Sequence, residues 1–315
     1  MKTRIGAFLV DPRDRKRVEP VCYKYTMRAT LEIAGWLSAL MVAATVEAWA
    51  NPVQAREASK QTKRLLVTVL EWFGGVGEFC VKLLKAAVSP PYEFKELFRQ
   101  MDEVGAKSLP LVAMAGAAIG VVLSLHMRDS MAQFGAKSML PELIILSLIK
   151  ESGPIITALI VSGRVGAGIG AELGAMKVTE QIDAIEASAV NPYGFLVATR
   201  VLACALMLPL LTIIADLSGI ITGWVAITLV EPMSLKLFLS LGLKEASFSD
   251  LLPSTLKTVV FGFIIGIIGC FQGMRAKGGT AGVGRASTSA VVLASLFVIL
   301  ADVVLVRLII TFFPQ

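Results

Sequence analysis

Histidine, paired cysteine and charge are what this chain has least of. Its 315 residues include one histidine, His126, which rules out a multi-histidine metal centre and leaves no choice of base for a Ser-His-Asp triad. The four cysteines, Cys22, Cys80, Cys204 and Cys270, are widely separated and form no C-x-x-C, so they read as small apolar fillers. Charged residues make up 17% against 55% hydrophobic, and the mean hydropathy is +0.73, which excludes an ordinary soluble domain. The only apolar stretch at the extreme amino terminus, Ala7 to Val10, is too short for a signal-peptide core.

A nucleotide site of this chain's own is also missing. Gly166-Ala-Gly168-Ile-Gly170-Ala171 fits the loose dinucleotide fingerprint G-x-G-x-x-A, but an apolar run of membrane grade precedes it where a strand is required. Gly279 to Gly284 has the glycine spacing of a P-loop, yet Arg285-Ala286 stands where Lys and then Ser or Thr would hold the phosphates and Mg²⁺.

What is abundant is long apolar sequence. Five blocks, near 106 to 127, 140 to 163, 197 to 230, 256 to 274 and 286 to 313, reach the roughly 20 residues that cross a hydrocarbon core. Lipid offers the backbone no partners, and continuous apolarity without alternation excludes a barrel, so the expected fold is all-α with five transmembrane helices. Residues 29 to 50 form a sixth apolar block, but Glu32 and Glu47 interrupt it and both flanks are basic. That predicts a helix lying on, or re-entering, one membrane face. Residues 61 to 105 mix apolar clusters with charge around Pro90-Pro91, the pattern of interfacial amphipathic helices. The expected organisation is thus an amino-terminal extension over 1 to 60, interfacial helices over 61 to 105 and a five-span domain over 106 to 315.

Lys and Arg set the expected orientation. Nine lie in 51 to 107, three in 164 to 200 and three in the eleven residues 275 to 285, against two each in 128 to 139 and 231 to 255. The amino terminus and the 164 to 196 and 275 to 285 loops are therefore expected in the cytoplasm, with the carboxyl terminus outside. The net charge of +6 is a topology signal and carries no nucleic-acid footprint.

Small residues recur every four positions: Ser162, Gly166, Gly170 and Gly174; Gly116, Gly120 and Ser124; Gly219 and Gly223; Gly262 and Gly266. Such faces let helix backbones approach, within a protomer or between protomers. Lys150 and Glu151 are expensive in mid-span, and neighbours in sequence do not face each other, so their partners must come from other helices or another subunit. Pro154 removes a donor four residues after Lys150 and predicts a kink there. Asp216 and Asp302 read as satisfied structural polar groups. After Gly170 the chain turns amphipathic: Thr179 is placed to cap a helix carrying Glu180 and Asp183, while Leu173/Met176 and Ile182/Ile185 make apolar pairs before the Asn191-Pro192 turn. From physics alone this is either a folded loop cap or a docking surface.

The ordered run Glu151-x-Gly153-Pro154, Gly163-Arg164-x-Gly166, Ala171-Glu172-Leu-Gly174-x-Met176, Val178-Thr179-Glu180-Gln181-Ile-Asp183-Ala-Ile and Asn191-Pro192 strongly resembles the MlaE family of ABC-transporter permeases. The resemblance continues through Arg200, Pro209 and Gly282-Val-Gly284-Arg285-Ala286-Ser-Thr288, covering about residues 95 to 313. It implies a homodimer in a bacterial inner membrane. Two copies of a separate ATPase, which bind the ATP and Mg²⁺, would sit on the cytoplasmic face, sometimes with a STAS-domain regulator. A ring of MCE-domain proteins on the other face would guide phospholipid. In family terms Glu172, Leu173, Met176, Lys177, Thr179, Glu180, Gln181 and Asp183 resemble the ATPase-coupling segment. Lys150 and Glu151 before Gly153-Pro154 resemble the dimer-interface pair, with Lys150 where the family pattern carries arginine. Val122, Leu123 and Leu125 are candidates to line a lipid cavity. The rival from another class is an ion-coupled secondary transporter using Lys150, Glu151 and Asp216; five spans without a visible internal repeat weigh against it.

Overall fold

The computed structural model describes residues 52–88, 93–135, 137–230, 232–244 and 248–312. The expected surface helix at 29 to 50 lies outside them. Among the described residues every regular element is helical: α1 (Pro52–Val88), α2 (Phe94–Val104), α3 (Leu109–Phe134), α4 (Leu140–Val178), α5 (Gln181–Ala187), α6 (Tyr193–Thr228), α7 (Leu235–Gly242), α8 (Phe248–Met274) and α9 (Gly279–Phe312). The chain divides into two compact units, 1–74 and 75–315. The described part of the first is the opening of α1, where Trp72 and Phe73 meet edge-on at 5.1 Å. All else described here belongs to the second.

Five helices are long and apolar enough to cross a membrane: Phe94–Gln133, Leu140–Val178, Tyr193–Thr228, Leu252–Met274 and Gly279–Thr311. Hydropathy places them well but ends the second too early. α4 runs for 39 residues, about 58 Å at 1.5 Å per residue and nearly twice a hydrocarbon core of about 30 Å. Antiparallel succession puts the α2–α3 turn, the α4–α5–α6 connection and the α8–α9 turn at one end of the bundle; 135–139 and α7 lie at the other.

The four-residue periods are contacts within one chain. On α3, a Cβ on Gly116 would lie 2.3 Å from the Ala215 carbonyl oxygen of α6, and one on Gly120 would lie 2.1 Å from that of Gly219. Backbones this close let side chains bond across: Ser218 Oγ donates to Ala113 O and Thr222 Oγ1 to Ala117 O, both at 2.9 Å. Gly262 and Gly266 bring α8 onto Cys204 and Val201 of α6. The Ser162 to Gly174 stripe faces α9 and α8, with Gly170 against Ala286 and Ala290, Gly166 towards Ile265, Ser162 Oγ 3.0 Å from Ser295 Oγ, and Ser287 Oγ donating to Ala167 O. At the opposite end Leu140, Ile144, Ile145, Leu148, Ile149, Ile220, Ile227 and Phe238 form a buried apolar cluster.

α4 stays continuous through Pro154. It widens into a π-helical turn at Leu148–Ser152, where the Gly153 N–H donates to Leu148 O, five residues back. A second π turn, Ser162–Gly166, carries Arg164, which donates to Glu103 O at 3.1 Å and Ser108 Oγ at 2.6 Å and so ties α4 to the α2–α3 turn. The interfacial pattern reappears in α2, whose Gln100 and Val104 are buried while Phe94 and Phe98 are exposed. In the carboxyl-terminal part of α1, Phe79 rests on Tyr193 and Phe271, at 5.5 and 5.6 Å between ring centroids.

Candidate functional site

The expected coupling segment is two pieces joined by a tight turn. Glu172, Leu173, Met176 and Lys177 occupy the last turns of α4, Thr179 and Glu180 make the turn, and Gln181 and Asp183 open α5. Thr179 does not cap the new helix. Its hydroxyl donates back to Ala175 O at 2.8 Å and so closes the old one, while Glu180 turns the chain with φ 59°. Nor is there an apolar ridge facing outward, because Leu173 packs against Gly273 and Ile182 is buried. The surface left exposed is acidic and polar: Thr179, Glu180, Gln181, Asp183 and Glu186, with Lys177 Nζ 2.7 Å from Asp183 Oδ1.

Glu172 faces two ways. Its Oε1 lies 2.8 Å from Nη2 of Arg200, a guanidinium buried in the first turns of the third span, while half of the Glu172 side chain remains exposed. That exposed part borders a cleft of about 690 Å³ between α2 and α4, lined among others by Arg99, Gln100, Glu103, Lys107 and Arg164.

The intramembrane charges converge as well. Glu151 Oε2 lies 3.2 Å from Nζ of Lys257 on α8, and the same ammonium lies 3.1 Å from Oδ1 of Asp302 on α9. One buried cation thus holds two carboxylates, and three spans are tied at one level. Lys257 and this role for Asp302 were not legible in advance. Lys257 opens an apolar block and reads as its flank, and no local spacing links 151, 257 and 302. Lys150 shares the π turn and is partly buried. Glu151 remains half-exposed in a single copy, so one protomer does not shield it as the membrane cost predicts. Gly153 abuts Asp216, whose Oδ1 would lie 1.7 Å from a Cβ there. Asp216 is not satisfied as expected: among the described residues its buried Oδ1 has no hydrogen-bond partner.

The three cavity candidates do not share a face. Val122 and Leu125 are exposed on α3, at 54% and 45%, whereas Leu123 packs against the Leu140–Phe238 cluster. His126, one turn on from Val122, is exposed.

Comparison with known proteins gives this arrangement a family. The pattern of Permease MlaE matches residues 97–308, which takes in α3 to α8, all but the end of α9, and both charge clusters. The chain belongs to the MlaE permease family. It is 36% identical over 225 residues to a probable ABC transporter permease of Rickettsia typhi, covering 71% of this chain and 87% of that one. A probable ABC transporter permease of Synechocystis is 34% identical over 208 residues, 66% of this chain and 79% of the relative. The chloroplastic protein TRIGALACTOSYLDIACYLGLYCEROL 1 of Arabidopsis thaliana is 28% identical over 229 residues, 73% and 64%. This MlaE permease is therefore the multi-span membrane subunit of an ABC transporter, a role that implies an ATPase partner.

Proposed function

We propose that this MlaE permease moves phospholipid between the bacterial inner membrane and an MCE-domain partner, driven by a separate ATPase that binds the ATP and Mg²⁺ and docks on α5. The observation that carries the reading is the end of α4 with α5. A span far longer than the bilayer requires leads, through the turn at Thr179 and Glu180, into an acidic, largely exposed helix. In this reading Thr179, Glu180, Gln181 and Asp183 meet a basic groove on the ATPase, Met176 and Lys177 support them, and a STAS-domain regulator acts on the ATPase. In the same reading α5 and the amino terminus lie in the cytoplasm and the carboxyl terminus in the periplasm, which the Lys and Arg distribution supports. The lipid reading draws support from the family and from a relative named for a glycerolipid.

A second copy accounts for what one copy leaves open. In a homodimer, the half-exposed Glu151 and the exposed Val122 and Leu125 would gain a partner face or line a shared cavity for acyl chains. Lys150, Gly153 and Pro154 would then shape the interface through the π turn. The test is to purify the tagged chain in mild detergent, identify co-purifying proteins and extract bound lipid for mass spectrometry. The reading expects an ABC ATPase, an MCE-domain protein and glycerophospholipid. It also expects Glu180→Lys with Asp183→Lys to reduce ATPase co-purification by about tenfold or more, through like-charge repulsion at a docking surface. Retention of the ATPase by that variant, or ATP hydrolysis by the purified chain alone, contradicts it.

One observation favours a second reading. The Asp216 carboxyl, whose buried Oδ1 has no hydrogen-bond partner among the described residues and which abuts Gly153, two residues after Glu151, suits an ion-coupled transporter. That reading expects transport driven by a proton or sodium gradient without nucleotide, and loss of that transport in Asp216→Asn.

A further inference from the structure

We infer that Arg200 is a positioning residue which, with Glu172, staples the base of the α4–α5–α6 excursion, so that displacement of α5 is delivered to the third span. This rests on the reading of α5 as the ATPase seat and removes Glu172 from the set of groups that touch the ATPase.

Glu172 and Arg200 bracket residues 173–199, the stretch that carries α4 to its end, forms α5 and opens α6. Arg200 is 1% exposed. Its Nη2 lies 2.8 Å from Glu172 Oε1, its Nη1 donates to Leu196 O at 2.9 Å, and among the described residues its buried Nε has no partner. The charge that compensates this guanidinium is therefore Glu172. Separating the two legs would strand a cation in the protein interior, so the legs resist opening and move together. By contrast, the Lys177–Asp183 pair at the tip is partly exposed and binds α4 only to α5, passing nothing to the bundle.

From Arg200 the route continues by direct packing. α6 meets α3 where Gly116 and Gly120 touch Ala215 and Gly219 backbone, with the Ser218 and Thr222 hydroxyls bonded to α3 carbonyls. Backbone packed on backbone does not yield, so a shift of α6 carries α3 and its exposed Val122 and Leu125. A parallel tie, Arg164 to Glu103 O and Ser108 Oγ, links α4 to the α2–α3 turn. Motion of α5 thus arrives at the first span from two sides.

The staple predicts uncoupling. In proteoliposomes holding the full chain with its co-purified ATPase, we would measure transfer of a fluorescent phosphatidylethanolamine alongside phosphate release. Glu172→Gln and Arg200→Met should each keep the ATPase bound but lower lipid moved per ATP hydrolysed by at least about tenfold. Arg200→Lys, which keeps the cation but not the planar fork that serves Glu172 and Leu196 O together, should fall between wild type and Arg200→Met. A merely structural role would change the amount of complex and leave that ratio alone. Should Arg200→Met fail to fold, Glu172→Gln carries the test, since its side chain is half-exposed. An unchanged ratio in Glu172→Gln overturns the inference, and so does loss of the ATPase from that variant, which would make Glu172 a docking contact. A wild-type complex that moves no lipid with ATP contradicts the proposed function itself, and is told apart because the failure precedes any substitution.

Discussion

At the scale of single residues, charge placement separates what could be read in advance from what could not. The cost of Lys150 and Glu151 in mid-span demanded partners on other helices, and Glu151 has one in Lys257 of α8. Which residue it would be had no local signature, because contacts between 151, 257 and 302 arise only when three spans pack. Arg200 shows the same limit: its place in the family pattern was visible, its bond to Glu172 was not. Removing Lys257 should strand both carboxylates. Lys257→Met is expected to destabilise by about 3–5 kcal/mol, read as a large fall in the melting temperature of the detergent-purified chain. Neutralising all three, with Glu151→Gln and Asp302→Asn added, should recover most of that loss. If Lys257→Met melts like wild type, the triad is not holding these spans.

At the scale of helices, lipid does much of the selecting. With no water for the backbone, long apolar runs must be helices, which is why all five spans were legible from hydropathy. Their ends were not, because α4 goes on as a helix beyond the apolar stretch, and hydropathy does not register a helix that continues past the bilayer. The Thr179 cap failed for a local reason: threonine can bond the carbonyl four residues back as readily as cap forward, and here it terminates α4. Glycine periodicity identified the packing faces, and their partners lie in the same chain. Gly120→Ala would drive a Cβ to 2.1 Å from Gly219 O and should destabilise by about 1–3 kcal/mol through forced separation of α3 and α6. Gly163→Ala meets nothing within 4 Å and should be neutral or stabilising by up to about 1 kcal/mol through helix propensity. Thermal unfolding of the two variants side by side checks the sign; equal effects would mean that the α3–α6 contact is not tight.

At the scale of the whole molecule, five spans put α5 and the 135–139 segment on opposite sides of the membrane. In a cysteine-free background, Gln181→Cys should react with an impermeant maleimide from the cytoplasmic side alone and Ser138→Cys from the periplasmic side alone. Labelling of both from one side would break the five-span topology. A dimer and a lipid cavity shared across it would be properties of an assembly, which one sequence reaches only through family likeness; what the fold adds is a half-exposed Glu151 and the exposed Val122 and Leu125 on α3. The central claim is that this permease moves lipid only when another protein drives it. Its most direct test is phosphatidylethanolamine transfer from proteoliposomes containing the chain with and without its ATPase, under ATP or under an imposed proton or sodium gradient. Transfer that needs both the ATPase and ATP is the predicted result; gradient-driven transfer by the chain alone would contradict it.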